Sequence, residues 1–216
     1  MAEEEFRGID LYTWATPNGR KASIMLEELE LPYRVFPIDI SKGDQHDPEF
    51  VAFSPNNKIP AIIDHETGAR MMESGAILMY LANKTGKLMA AMGDEYWQQM
   101  EWLMFQMGHI GPMLGQTHHF VKFNPGKAPY AEERYRKENV RLYQVLENRL
   151  QERDFIVDDY SIVDIATWPW ISRYEFQQMD LNNFPRLKAW YLRIAERPAV
   201  QRGYAVPQDL PVPIPD

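Results

Sequence analysis

The chain carries two kinds of apolar pattern, one of strands and turns in its first part and one of helical spacing in its second. Residues 61–64 (Ala-Ile-Ile-Asp) and 70–72 (Arg-Met-Met) flank a Glu-Thr-Gly turn, so they predict a hairpin, and a helix is predicted from residue 75 to about 84. From residue 96 the apolar positions follow helical spacing and predict a buried stripe rather than a methionine-rich cofactor site. The stripe comprises Tyr96, Met100, Leu103, Met107 and Ile110.

Glycine and proline punctuate the helical second part. Gly108, Gly111-Pro112 and Gly115 are expected to loosen or kink the helix that carries the stripe. Further on, Ser161 and Asp164 predict a capping box at a helix start, with Tyr160 and Ile165 as its hydrophobic staple.

Length and composition allow two modest domains. The chain has 216 residues, of which 45% are hydrophobic, so it can bury a sizeable core. The first helical pattern stops at Gly86, and a short linker precedes the helical part. We therefore predict domains at 8–87 and 94–205, followed by a proline-rich, extended tail at 206–216 that packs on the surface or stays free.

Charge and cysteine content exclude several functions. The 23 Lys and Arg residues against 31 Asp and Glu residues leave a formal charge of −8, which argues against nucleic acid or an anionic membrane as partner. The start of the chain is acidic and no long apolar run follows, so we expect a cytoplasmic protein. Because there are no cysteines, any reacting thiol must arrive with a ligand.

The most informative motif joins residues 54–60 (Ser-Pro-Asn-Asn-Lys-Ile-Pro) to residues 73–76 (Glu-Ser-Gly-Ala). A cis bond before Pro60 would present an edge that pairs with a peptide backbone. The hydroxyl of Ser74 and the free N–H groups of the next helix would hold a carboxylate, while Glu73 would take an ammonium. Such a site suits a γ-glutamyl peptide. Taken singly, the first motif also fits a plain turn and the second a simple N-cap.

These motifs resemble the glutathione S-transferases over most of the chain. The resemblance continues through a strand at 9–12, the segment Thr-Pro-Asn-Gly at 16–19, a helix with an apolar face at residues 22, 25, 26 and 29, and a strand at 33–38. Thr-Pro-Asn-Gly followed by Pro-Asn-Asn-Lys-Ile-Pro is similar to the bacterial Nu class. The resemblance implies an α/β thioredoxin-like N-terminal domain of order βαβαββα and an all-α C-terminal domain.

The resemblance also implies a role for individual residues. Thr16 and Asn18 would face the glutathione sulfur and stabilise its thiolate by hydrogen bonding, without a general base. Arg134 would reach a second glutathione, although its charge-dense surroundings also fit a solvated helix face. The other glutathione-binding residues would be Gln45, Lys58, Ile59, Glu73 and Ser74.

The activity that the resemblance implies is glutathione-dependent disulfide reduction, with one or two glutathiones or glutathione disulfide bound per site. Conjugation, thiolytic ether cleavage or dehalogenation of an aromatic substrate is a second possibility, and a non-catalytic glutathione-binding regulatory protein is a third. A homodimer is expected because the family generally dimerises.

The helical part offers candidates for the second-substrate pocket and, at first sight, a metal site. Large side chains that would line the pocket are His119, Phe120, Trp170 and Tyr174. Adjacent helical residues point about 100° apart, so His118 and His119 are not expected to chelate one ion, and no metal is predicted.

Overall fold

A four-stranded mixed sheet forms the centre of the first part of the computed structural model, which describes residues 6–215. Its strands are β1 (Ile9–Thr13), β2 (Tyr33–Pro37), β3 (Ala61–Asp64) and β4 (Arg70–Met72), in the spatial order β2-β1-β3-β4. β1 pairs parallel with β2 and antiparallel with β3, and β3 pairs antiparallel with β4. The acidic residues at 3–5 and Asp216 lie outside the described residues.

The helices of this part are α1 (Pro17–Glu28), α2 (Pro48–Val51) and α3 (Ser74–Thr85). With the four strands they follow the predicted βαβαββα order, which confirms the thioredoxin-like fold.

The chain forms two compact units. The N-terminal unit comprises the chain up to Lys87 together with Pro198–Pro211, and the helical unit comprises Leu88–Arg197 and the segment that starts at Val212. The first segment of the N-terminal unit ends at Lys87, the residue at which the sequence predicts the first domain to end. The predicted helical domain at 94–205 differs from the helical unit, because α9 (Pro198–Tyr204) packs on α1 and so belongs to the N-terminal unit.

Helix α1 is buried on its predicted apolar face and on the opposite face as well. Ala22, Met25 and Leu26 are fully buried, as the sequence pattern predicts. On the other side, a Cβ added to Gly203 of α9 would lie 2.6 Å from the Ile24 Cα, so only glycine permits this approach. Arg20 and Ser23 are buried on this side, under α9. Lys21 is buried as well, but its Nζ lies against Ser74 of α3.

The polar residues under α9 are hydrogen-bonded to it. The Ser23 hydroxyl donates to the Gly203 carbonyl at 2.6 Å, and Arg20 Nε donates to the Tyr204 carbonyl at 3.2 Å. The Arg20 guanidinium also lies 3.4 Å from the centroid of the Tyr204 ring. These contacts tie the end of the helical sequence to the first helix of the chain.

The helices of the helical unit are α4 (Asp94–Phe105), α5 (Gly111–Thr117), α6 (Pro129–Arg149), α7 (Ile162–Ile171) and α8 (Pro185–Ala195). The unit begins with one long helical run over residues 94–123. Two π-helical stretches, Gln106–Ile110 and His118–Phe123, interrupt the run. The first contains Gly108, as expected, whereas Gly111, Pro112 and Gly115 lie in the regular helix α5, and the second stretch contains no glycine. No helix among the described residues is long and apolar enough to cross a membrane.

The predicted apolar stripe is buried only in part. Leu103 and Ile110 are fully buried, whereas Tyr96, Met100 and Met107 are half-buried. Two glutamines share the buried face instead. Gln99 Oε1 accepts a hydrogen bond from the Ala90 N–H at 2.8 Å, so a polar side chain satisfies the backbone of the linker. The spacing of apolar residues in the sequence does not predict this hydrogen bond.

The start of α7 and the proline-rich tail are both tied down. The predicted capping box is present: the Val163 N–H donates to Ser161 Oγ at 3.3 Å, and the Ser161 N–H donates to Asp164 Oδ2 at 3.1 Å. In the tail, the Tyr191 hydroxyl donates to the Pro213 carbonyl at 2.6 Å. Of the two predicted alternatives for the tail, packing on the surface is the one observed.

Replacing the cap tests this local assignment. We expect Ser161→Ala to lower the free energy of unfolding by about 1 kcal/mol, because one N–H of the first turn loses its acceptor in a buried setting. Chemical denaturation measures the change, with Ser41→Ala, which removes an exposed serine from a loop, as the matched control. Coincident unfolding curves for wild type and Ser161→Ala would contradict the assignment.

Candidate functional site

The register of the sheet brings three chain segments to one edge. Tyr12, near the end of β1, pairs with Ala61 at the start of β3, and Ala61 pairs with Met72 at the end of β4. Residues that follow β1, precede β3 and follow β4 therefore meet at this edge. They are the motif residues at 16–18, 58–60 and 73–74.

The first segment is the N-terminus of α1. Thr16 is the N-cap, and its Oγ1 accepts a hydrogen bond from the Gly19 N–H at 3.1 Å. The helix begins at Pro17, so Asn18 lies within the first turn rather than ahead of the helix as predicted; proline is preorganised for this first position. A hydroxyl that accepts from Gly19 still has its own hydrogen to donate.

The second segment is an open backbone at Ile59. The Ile59–Pro60 peptide bond is cis, and the Ser54 hydroxyl holds the preceding loop by donating to the Lys58 carbonyl at 2.8 Å. Within residues 6–215, the N–H and the carbonyl of Ile59 have no hydrogen-bond partner. The side chain of Lys58 is exposed. This leaves a short backbone edge that can pair with an extended peptide.

The third segment is the corner between β4 and α3. Glu73 has φ 69° and ψ 110°, a conformation that is costly for a residue with a Cβ, and its side chain is exposed. Ser74 opens α3 and is 4% exposed. Strained non-glycine residues of this kind persist where the surrounding structure holds them, often at binding sites.

A buried lysine lies behind this corner. Lys21 of α1 is 1% exposed, and its Nζ donates to Ser74 Oγ at 3.3 Å. Burial lowers the pKa of Lys21 to about 7, while the nearby Glu73 carboxylate acts in the opposite direction. Lys21 is not among the site residues predicted from the sequence. A signal did exist, since Lys21 follows Asn18 by three positions and so lies on the same side of the helix.

Gln45 lies in a short turn after β2. A 3₁₀ turn at Asp44–His46 follows Gly43, which adopts the left-handed φ of 89°. In the part of the chain that the structure describes, the buried Gln45 Oε1 has no hydrogen-bond partner. A buried acceptor without a partner is a place where a ligand N–H gains most.

Arg134 lines a cavity of about 600 Å³ within the helical unit. Its charged neighbours on α6 are paired, since Lys137 Nζ binds Glu133 at 2.5 Å and Arg141 binds Glu138 at 2.6 Å. Arg134 itself forms no salt bridge with any residue in the range 6–215. Arg134 is exposed, and its charge acts on Glu138 without a salt bridge, so its part in ligand binding stays a prediction.

The four residues predicted to line the second-substrate pocket have different surroundings. His119 is exposed and makes an edge contact with Phe120, whose ring stacks on Tyr135 at 5.5 Å between centroids. Trp170 and Tyr174 are each 7% exposed. Both therefore pack in the core of the helical unit, and their part in a substrate pocket stays a prediction.

The adjacent histidines occupy unlike surroundings. His118 is buried and stacks on Trp170 at 5.7 Å, and burial together with the charge of Arg173 lowers its pKa to about 4. The structure describes no group of three His, Cys, Asp or Glu residues that could hold a metal ion.

Comparison with known proteins matches both parts of the chain. Residues 8–83 match the family model "Glutathione S-transferase, N-terminal domain", and residues 110–198 match "Glutathione S-transferase, C-terminal domain". The chain belongs to the glutathione S-transferase family. This confirms the family that the motifs predict.

Two curated relatives are disulfide-bond oxidoreductases of Escherichia coli. YfcG is 48% identical over 197 residues, covering 88% of this chain and 92% of YfcG. YghU is 36% identical over 214 residues, covering 92% of this chain and 74% of YghU.

Two solved structures of bacterial glutathione transferases share the fold. That from Pseudomonas putida, with one glutathione disulfide bound per subunit, is 40% identical with a TM-score of 0.88, covering 95% of this chain and 94% of the other. That from Pseudomonas fluorescens, with two glutathiones bound, is 42% identical with a TM-score of 0.86, covering 95% and 96%.

The strained corner gives a direct test of the site geometry. Glu73→Gly and Glu73→Ala both remove the carboxylate, but only glycine accepts the positive φ without strain. We expect the glycine variant to be more stable than the alanine variant by about 1 kcal/mol, the reverse of the usual order. Chemical denaturation of the two variants measures this difference. Greater stability of the alanine variant would show that the backbone at residue 73 is not strained.

Proposed function

We propose that this glutathione transferase is a glutathione-dependent disulfide-bond reductase whose reacting thiols all come from glutathione. One observation carries the proposal: in a chain without cysteine, the α1 N-terminus, the open Ile59 backbone and the corner at Glu73 and Ser74 meet at one sheet edge. These groups suit the thiol, the central peptide backbone and the γ-glutamyl end of one glutathione.

The relatives support the same activity. YfcG and YghU are both disulfide-bond oxidoreductases, and the solved relatives hold glutathione or its disulfide. The similarity confirms the prediction of a glutathione-dependent enzyme. It favours disulfide reduction over conjugation, ether cleavage and dehalogenation, and over a non-catalytic role.

The N-terminus of α1 supplies the means to activate a thiol. A free thiol has a pKa of about 8.5, so most of it is protonated at neutral pH, although the thiolate is the nucleophile. The Asn18 amide, the Thr16 hydroxyl and the partial positive charge of the helix end would each stabilise a sulfur anion. None of them removes a proton, so the thiol proton passes to solvent.

The reaction then takes two exchange steps. The thiolate of the first glutathione attacks one sulfur of the substrate disulfide, the S–S bond breaks, and the leaving thiolate takes up a proton. The thiolate of a second glutathione attacks the glutathione sulfur of the mixed disulfide and releases the second substrate thiol. One disulfide is reduced to two thiols, and two glutathiones are oxidised to one glutathione disulfide.

Arg134 is the proposed contact for the second glutathione. Arg134 borders the cavity in the helical unit together with Lys137 and Arg141. Those two form salt bridges with glutamates, whereas the Arg134 guanidinium forms none with residues 6–215. A guanidinium binds a carboxylate in a bidentate manner. Gln45 and Lys58 are proposed to contact the glycyl end and the backbone of the first glutathione.

Several finer features belong to the same proposal. We assign the chain to the Nu class because of its Thr-Pro-Asn-Gly and Pro-Asn-Asn-Lys-Ile-Pro segments. A homodimer and a cytoplasmic location are expected from the family and from the composition.

The first test replaces the proposed thiolate donor. We expect Asn18→Ala to lower the turnover of a small hydroxyalkyl disulfide at least tenfold, equivalent to about 1.4 kcal/mol of transition-state stabilisation. The assay couples the glutathione disulfide formed to consumption of its reductant. Asn83→Ala, which removes an exposed asparagine of α3, is the matched control and should retain full turnover.

The outcomes separate the alternatives. Wild-type rates in Asn18→Ala would remove that residue from the mechanism. If the wild-type protein binds glutathione but reduces no disulfide, an aromatic ether or halide becomes the better substrate class. If it binds neither glutathione nor its disulfide, the proposed function is wrong.

A second test addresses the cavity in the helical unit. We expect Arg134→Ala to lower kcat/KM for glutathione about tenfold, because a charge-assisted contact to the second glutathione is lost. In the control Lys137→Ala, kcat/KM should change less than about twofold, because exposed ion pairs contribute little. Equal effects of the two substitutions would assign Arg134 to a solvated face.

A further inference from the structure

A fully buried lysine stands next to the corner proposed to bind the γ-glutamyl group. Lysine is rarely buried without a specific reason, since its ammonium loses hydration. Lys21 is 1% exposed and reaches from α1 to α3, where its Nζ lies 3.3 Å from Ser74 Oγ. The proposed function assigns no role to the positive charge of Lys21.

The chemistry of the contact orients the serine. An ammonium has three donors and no acceptor, so Ser74 Oγ must accept from Lys21 when that lysine is charged. The hydroxyl hydrogen of Ser74 is thereby turned away from Lys21. Ser74 is also the first residue of α3, a helix of 12 residues whose N-terminal N–H groups favour an anion.

We propose that Lys21 is a positioning residue for the α-carboxylate of the γ-glutamyl group, which orients the Ser74 hydroxyl as a donor and adds a buried positive charge behind it. This inference rests on the proposed glutathione binding and extends it to the basis of specificity. The site would then select γ-glutamyl ligands because the charge of Lys21 attracts the α-carboxylate of the ligand without direct contact.

The charges around α1 leave this role to Lys21. Glu73 is the neighbouring carboxylate whose charge acts on Lys21. Charged groups on the elements that pack on α1 have partners of their own. These pairs are Arg202 of α9 with Glu27, Lys84 of α3 with Asp64, and Asp10 of β1 with Arg34.

The proposal carries a definite pH dependence. Because burial lowers the pKa of Lys21 to about 7, the lysine of the ligand-free protein is mostly charged below that pH and mostly neutral above it. A bound carboxylate favours the charged form, so binding takes up protons near neutral pH. Affinity for the ligand should therefore be greatest below pH 7 and fall as the pH rises through 7.

Calorimetry with S-methylglutathione, which has no titrating thiol, tests the proposal. Dissociation constants are measured from pH 6 to pH 8 in buffers of different ionisation enthalpy, for wild type, Lys21→Met and the control Lys84→Met, which removes a lysine from the other end of α3. A second ligand, the γ-aminobutyryl analogue of S-methylglutathione, lacks the α-carboxylate and keeps the amine.

We expect Lys21→Met to weaken binding of S-methylglutathione about tenfold at pH 6 and to abolish proton uptake. The analogue should bind wild type and Lys21→Met equally. The unfolding temperature of Lys21→Met should not fall, because a buried ammonium is replaced by a neutral side chain of similar length.

The opposite results would overturn the inference. Equal affinity of wild type and Lys21→Met with the same pH slope would leave Lys21 without a binding role, although glutathione binding by wild type would still stand. Equal losses for S-methylglutathione and its analogue would indicate a general distortion instead. Failure of wild type to bind either ligand would reject the proposed function itself.

Discussion

The position of β1 in the middle of the sheet is the constraint on which the candidate site depends. β1 pairs with β2 on one side and with β3 on the other, and β3 in turn pairs with β4. Because a one-residue slip would turn every side chain of a strand to the opposite face, the buried positions of β1 hold the register. The register then decides that segments far apart in sequence end at the same edge.

The second constraint is that α1 is covered on two sides. The sheet and α3 take its apolar face, and α9 takes the face that carries Arg20 and Ser23. Burying these polar side chains is unfavourable unless they are hydrogen-bonded, and backbone carbonyls of α9 provide acceptors for both. Lys21 is buried next to the start of α3, where its Nζ donates to Ser74 Oγ. A costly buried charge at a binding corner fits the general exchange of stability for function.

In the helical unit, salt bridges distinguish the cations of a charge-dense segment from one another. The start of α6 is dense in acids and bases, a composition that typically forms a solvated face. In the structure, Arg134, Lys137 and Arg141 border the same cavity. Lys137 and Arg141 form salt bridges with neighbouring glutamates, whereas Arg134 forms none within residues 6–215. Which of these cations forms a salt bridge depends on side-chain rotamers and on the helices packed nearby. Neither can be read from the sequence.

The sequence alone determined the order of strands and helices, the apolar face of α1, the capping box at Ser161 and the family, since these depend on local spacing and on short motifs. Only the tertiary structure decided that α9 returns to α1, that Gln99 lies on a buried face, and that Lys21 stands behind Ser74. The physical reason is that local patterns record what a residue prefers, whereas burial of a polar side chain depends on which distant segment covers it and supplies its hydrogen-bond partner.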